Sequence, residues 1–325
     1  MKVDCHEGFE AVGPAAWTEL HAATALRSPF LTWTWQTEWA RAFAAGRRLA
    51  IWRVEDEGRL TAVLPLYEAE PGVLRLVGGM DISDYLDVLV RAGQEDAVWS
   101  ALLHARASAP AVWDLHAVPA RSATVTRLPA LAEAASVPMS VTVEERCPVL
   151  ALPAAWEEYL ARLSGKHRHE LTRKMRRLAR EAPDARVTAA ASAEEVDRRL
   201  GDFVDLHRRS RVGKARFMDD RMEAFFRRAV LAFAAAGGAR LWFLDTDAGP
   251  MASFITLEWD GTVGLYNSGF HPDRAALAPG VVLLAQVVRD AITRGKRSFD
   301  FLRGEERYKY EFEPVAEDVC AVRIG

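Results

Sequence analysis

Cysteine is scarce in this chain. Cys5, Cys147 and Cys320 are the only three in 325 residues, far apart and odd in number. That excludes a disulfide framework and fits reduced thiols in a cytoplasm, the expected location. Lysine is scarce too: of 42 basic residues only Lys2, Lys166, Lys174, Lys214, Lys296 and Lys309 are lysine. No apolar run approaches the roughly 20 residues that span a bilayer; the longest are Ala229 to Ala236 and Val281 to Val288. The first residues, Met1 to Gly13, show no basic segment followed by an apolar one, so no signal peptide is expected. A P-loop, a dinucleotide glycine fingerprint and the Gly-x-Ser-x-Gly of serine hydrolases are all missing. His167 and His169 stand two apart on a helical stretch with no cysteine near them, so no metal is expected.

What is present is an ordinary globular composition, 50% hydrophobic and 27% charged, long enough for two cores. The net charge of −3 is unevenly spread. Residues 1–150 carry 13 basic and 19 acidic groups, residues 151–325 carry 29 and 26, so an anionic ligand prefers the second half. Periodicity gives both halves one script. In the first, helices over Ala15–Leu26 and Thr34–Ala45 precede strands at Leu49–Val54, Arg59–Tyr67, Val73–Val77 and Tyr85–Val90; a helix (Glu95–Ala107) and a strand (Val112–His116) follow. The second opens with a long helix, Trp156–Arg180, a strand at Arg186–Ala190 and helices Ala193–Arg209 and Asp219–Ala236. Strands Ala239–Thr246, Met251–Glu258 and Val263–Ser268, helix Pro279–Arg294 and strands Ser298–Leu302 and Asp318–Ile324 complete it. The fold class expected is α/β with mixed sheets, a duplicated domain jointed near Pro138–Pro153.

The most informative stretch is Tyr266-Asn267-Ser268-Gly269-Phe270-His271-Pro272, followed by Ala278-Pro279-Gly280-Val281-Val282. A strand ends, a short polar connection follows, and a helix starts with Pro in its first turn. Unpaired N–H groups and the positive end of the helix dipole suit a pyrophosphate there, and Gly280 lets it approach the backbone. The plain alternative is that Pro279 and Gly280 only punctuate a helix start. Further on, Ser298-Phe299-Asp300-Phe301-Leu302-Arg303-Gly304 runs into Arg307-Tyr308-Lys309-Tyr310. Lys309 could stabilise an oxyanion or hold a phosphate, or be a solvated lysine between packing tyrosines. Asp300 alternates with Phe299 and Phe301 and so points away from them, toward Arg303 or Lys309, or toward service as a base.

Taken together, Ser268-Gly269, Pro279-Gly280, Asp300-Phe301-Leu302-Arg303-Gly304 and Tyr308-Lys309 resemble the FemAB/CelD-like branch of the GNAT acyltransferases. Ser164-Gly165-Lys166-His167-Arg168 and Phe203-Val204-Asp205-Leu206-His207 fit as well, and Gly78-Gly79 with Asp84-Tyr85-Leu86-Asp87 echo it in the first half. The resemblance implies two tandem GNAT-like domains. Residues 1–150 would lack a cofactor and wall the acceptor cleft, and 151–325 would bind acetyl-CoA or another acyl-CoA as co-substrate. Ser268, Gly269, Ala278, Pro279, Gly280, Val281 and Val282 would then hold the donor, the pantetheine arm lying along Val263–Ser268. Lys309, Asp300 and Tyr308 are the catalytic candidates, Lys309 matching a lysine near the reacting carbonyl of FemX-type enzymes, which use aminoacyl-tRNA. Asp84, Tyr85, Arg168, His207 and Tyr266 are the acceptor-side candidates. No inserted coiled-coil arm for tRNA is present, which favours acyl-CoA.

Seven basic side chains lie between Lys166 and Arg180, with Leu171, Met175 and Leu178 as an apolar stripe. Three readings stand for them: a solvated face, an acceptor or nucleotide contact, and nucleic-acid binding, the last weakly supported in a net-acidic chain. The activity expected is N-acyl transfer from acyl-CoA to a small-molecule or cell-envelope amine. The alternatives are aminoacyl-tRNA-dependent transfer and a non-enzymatic binding module.

Overall fold

The computed structural model describes residues 1–108 and 111–325, which cluster into two units. One comprises Met1–Arg146 with Glu317–Gly325, the other Cys147–Ala316. The expected 151–325 block therefore cedes its last segment to the first unit. The physical reason is strand pairing: Val319–Ile324 run antiparallel to Trp113–Pro119.

In the first unit, β1 (Lys2–His6), α1 (Pro14–Ala22) and α2 (Trp33–Phe43) precede the meander β2 (Leu49–Asp56), β3 (Arg59–Glu70) and β4 (Val73–Leu76). Then come β5 (Leu89–Val90), α3 (Glu95–Arg106), β6 (Val112–Pro119), α4 (Ala123–Thr126) and α5 (Leu128–Ala134). The strand expected over Tyr85–Val90 shrinks to two residues, because only Leu89 and Val90 find partners, on β3. β1, which lacks a strong alternating pattern, pairs along β2. The expected joint near Pro138 is a long strand, β7 (Met139–Ala151), whose last three residues pair with a strand of the second unit.

The second unit continues with α6 (Trp156–Arg162), α7 (Gly165–Glu181), β8 (Arg186–Ala190), α8 (Ala193–Ser210), α9 (Val212–Phe217) and α10 (Asp220–Ala235). After these come β9 (Ala239–Thr246), β10 (Gly249–Trp259), β11 (Thr262–Phe270), α11 (Pro279–Thr293), β12 (Ser298–Asp300) and α12 (Arg307–Tyr310); β13 (Val315–Ile324) ends the chain. The single helix expected over Trp156–Arg180 is two. Leu163 takes extended backbone (ψ 141°), and Ser164 then caps α7 by accepting the His167 N–H. Ser192 and Glu195 start α8 with a reciprocal capping box.

Strands run β8-β9-β10-β11-β12-β7 across this unit, antiparallel except for the β11–β12 pair. A parallel pair needs a crossover, and α11 supplies it. Leu283, Leu284, Val287 and Val288 of α11 are buried with Phe254, Leu265, Phe299 and Phe301. Each such side chain contributes about 1.5–3 kcal/mol on burial. Among the described residues no helix is long and apolar enough to cross a membrane.

Candidate functional site

The start of α11 is built without a side-chain cap. After β11 a 3-10 turn, Pro272–Leu277, leads into Ala278, which is left-handed (φ 50°, ψ 46°). A non-glycine residue there carries strain of order 1–3 kcal/mol. Its effect is to swing the chain straight into Pro279, whose ring is buried. Accounting for the N–H groups narrows the expected cradle. Ala278 donates to Ala275 (2.9 Å), Val282 donates to Ala278 (3.1 Å), and Pro279 has no N–H. Gly280 and Val281 remain, with no backbone acceptor among the described residues. A Cβ built on Gly280 meets no atom within 4 Å, so the approach to these two groups is open. No acidic side chain lies in the first turn.

Beside it runs the part of β11 that β12 leaves. β11 pairs with β12 only through Thr262, Val263 and Gly264, so beyond Gly264 the two parallel strands part. On the other side, the register with β10 passes from Ile255–Asn267 to Thr256–Leu265, leaving Tyr266 as the extra residue of a bulge. The Tyr266 ring stacks on Phe226 (centroids 5.4 Å), so this acceptor-side candidate packs within its own unit.

Ser268 and Gly269, expected to touch the donor, instead receive α8 and α9. A Cβ on Gly269 would stand 2.5 Å from the backbone nitrogen of His207, so glycine is what lets α8 lie this close. The Ser268 carbonyl accepts from His207 Nδ1 (3.0 Å) and from Lys214 Nζ, which also donates to Ser268 Oγ (3.1 Å). Because Nδ1 carries the proton, His207 Nε2 is the bare acceptor. It is buried and has no partner among the described residues. Burial and the nearby Lys214 charge bring the imidazole down to about 4, so it is neutral at physiological pH. Burial, then the Arg211 charge, lowers the Lys214 amine to about 8. Sequence reasoning passed over Lys214, since nothing local to residues 211–217 reveals that α9 folds back onto β11.

The segment after β12 places the catalytic candidates. Leu302 is buried and left-handed (φ 55°). Asp300 Oδ1 accepts its N–H (2.8 Å), so this carboxylate braces the turn. Lys309 is 3% exposed, and its ammonium donates to the carbonyls of Leu302 (3.3 Å), Arg303 (2.8 Å) and Gly304 (3.0 Å). It also pairs with Glu306 (2.9 Å). An ammonium has three protons, and four oxygens already claim them. In this arrangement Lys309 holds a loop and offers no proton to an oxyanion. Tyr308 is half-buried against the core, which pushes its phenol far above the ordinary range.

Arg168 stands exposed on α7. Much of the expected cationic run there is paired: Arg173 with Glu170, Lys174 with Glu311, and Arg177 and Arg180 with Glu181. Asp84 and Tyr85 belong to the first unit. Tyr85 is buried and its carbonyl accepts from Ser28 Oγ (3.1 Å); Asp84 is half-buried. Among the described residues no cluster of three or more His, Cys, Asp or Glu could hold a metal ion.

Comparison with known proteins gives a matching family model, the acetyltransferase (GNAT) domain, over residues 165–310. No curated protein matches in sequence. Among solved structures, FemX is similar with a TM-score of 0.65 at 9% identity, over 99% of this chain and 97% of that one. L-PGS from Bacillus licheniformis gives 0.60 at 12%, over 96% and 91%. A tandem GNAT protein from the clavulanic acid biosynthesis pathway gives 0.50 at 14%, over 99% and 97%. Such identities speak to fold alone, and the fold they share is the one built above. Residues 165–310 match the acetyltransferase (GNAT) domain model, and the chain as a whole shares the fold of FemX and of the tandem GNAT protein.

Proposed function

We propose that this protein is an N-acyltransferase that moves an acyl group from an acyl-CoA to an amine, with the donor held by the second unit. The observation that carries the reading is the pair of N–H groups at Gly280 and Val281, without a backbone acceptor among the described residues, at an open helix start beside the stretch of β11 that β12 has left. The helix start suits the diphosphate of coenzyme A, and the strand edge suits the amides of its pantetheine arm. Since the Ser268 carbonyl is occupied, the arm would use the edge between Leu265 and Asn267. The acceptor amine must lose a proton, and His207 Nε2 is a buried, neutral base in the same unit. Asp300 and Lys309 enter as positioning residues that fix the turn after β12.

Titration of thermal stability with acetyl-CoA and longer acyl-CoAs tests this. A bound donor raises Tm by mass action, and Gly280→Glu, which puts a carboxylate where the phosphates would sit, abolishes the rise. No shift with any acyl-CoA overturns the reading. Aminoacyl-tRNA-dependent transfer is favoured by one observation, the exposed Lys166, Arg168 and Arg176 on α7, which have no carboxylate partner among the described residues. RNA that copurifies and dissociates steeply with salt would decide for it.

A further inference from the structure

We propose that Lys214 is itself an acyl acceptor, its ε-amino group taking the acyl chain from an acyl-CoA seated on β11 to give a protein-bound amide. This rests on the acyl-CoA reading above. The geometry begins at the end of α8, where Arg211 takes extended backbone (φ −161°, ψ 148°) and turns the chain back. The short helix α9 then delivers Lys214 Nζ to Ser268, on the stretch of β11 that β12 has left.

The company of this amine sets it apart. Lys2, Lys174, Lys296 and Lys309 each have a carboxylate within 2.9 Å, on Asp4, Glu311, Glu258 and Glu306. A carboxylate holds the proton on the nitrogen and so suppresses its nucleophilicity. Lys214 has only the neutral carbonyl and hydroxyl of Ser268 as hydrogen-bond partners. The groups around it are the neutral His207 from α8, Arg211 at the α8–α9 turn, and Glu306 and Lys309 from the segment after β12. Burial, Arg211 and Lys309 all favour loss of its proton, and Glu306 alone opposes it, so a useful fraction is free base near neutral pH.

The step balances without any further reagent. The Nζ lone pair attacks the thioester carbonyl carbon, a C–N bond forms, and the C–S bond breaks. Sulfur leaves as thiolate and takes up the proton that nitrogen releases, so free coenzyme A departs. The product amide has one N–H and no charge, so at most one of the two bonds to Ser268 survives.

The test incubates the full chain with acetyl-CoA, quantifies acetylation at each of the six lysines by peptide mass spectrometry, and measures the thermal shift in parallel. The expected result is acetylation of Lys214 about ten-fold faster than of any other lysine, slowed by excess coenzyme A and lost in Lys214→Arg. Acetylation of exposed Lys2 or Lys166 at an equal or higher rate, in a sample whose thermal shift shows bound donor, overturns the proposal and leaves the functional reading intact. Absence of any thermal shift removes both.

Discussion

The two units repeat one order of elements yet treat the same gap in opposite ways. In the first, β4 and β6 run parallel over Val73–Val112 and Leu74–Trp113 and then part, as β11 and β12 do. There the opening is stuffed. Gln36 Nε2 donates to the Val77 carbonyl (3.0 Å), Ser83 Oγ donates to Gly78 (2.8 Å), and a Cβ on Gly78 would sit 2.6 Å from Leu86. The helix that follows, α3, begins with Glu95 and Asp96, and Glu95 already accepts the Gly93 N–H (3.1 Å). Such carboxylates repel a phosphate. In the second unit, among the described residues, β11 has no β12 partner beyond Gly264 and the space around Gly280 is open. The proposed donor site would thus be a matter of what the side chains leave vacant, on a backbone plan common to both.

A second contrast concerns one left-handed residue within β6 and another just after β12. Ala117 in one unit and Leu302 in the other are both left-handed, and a carboxylate takes the N–H of each, Glu144 and Asp300. Their carbonyls differ: Ala117 receives the backbone N–H of Leu86 (2.8 Å), Leu302 the ammonium of Lys309.

The sharpest way to break this second contrast is Lys309→Met. It strands Glu306 and three carbonyls, and should cost about 3–5 kcal/mol in urea unfolding. A cost near zero would mean the loop holds itself. Next is Gly269→Ala, expected to lose about 2–3 kcal/mol because the methyl strikes the α8 backbone. Gly280→Ala, with open space around it, should be neutral or slightly stabilising.

Acid should divide the units. Burial lifts the Asp87 carboxyl of the first unit to about 6, against the bonds from Ser122, Thr124 and Val88. A carboxyl raised in the folded state contributes stability below its unfolded pKa and loses it as pH rises toward 6. His207 is depressed to about 4, so its contribution is full above about 6.5 and disappears as pH falls toward 4. Between pH 6.5 and 4 each shift amounts to about 3 kcal/mol, with opposite signs. Comparing the pH dependence of Asp87→Asn and His207→Asn with the parent by calorimetry reads both; equal slopes would refute the assignment. The smallest effect belongs to Lys166→Ala and Arg168→Ala on exposed α7, within about 0.5 kcal/mol and without change in any acyl-CoA response.

Much of the plan was legible in the sequence. Alternation revealed the meanders, and Pro279 with Gly280 marked the helix start. What escaped depends on residues distant along the chain. Ser164 breaks a helix whose apolar stripe continues across the break, and the final strand chooses a partner some 200 residues earlier. Lys309 attracted attention as a cation, but its charge is absorbed by carbonyls five to seven residues before it, a fold-back that spacing does not disclose. Lys214 gained its setting only from the turn at Arg211 and a strand 54 residues onward.

The helix α11 is enclosed along most of its length, with Val282 to Ala285, Val287, Val288, Ala291 and Ile292 all out of solvent. At its far end Arg294 is tied to Asp290 (2.6 Å) and Glu258 (2.8 Å). A rod gripped on nearly every side cannot pivot, so the two amide hydrogens at its tip keep their aim whether or not anything arrives. Loading this tip should therefore demand little rearrangement, and tightness would come from preorganisation, with scant entropy forfeited on arrival.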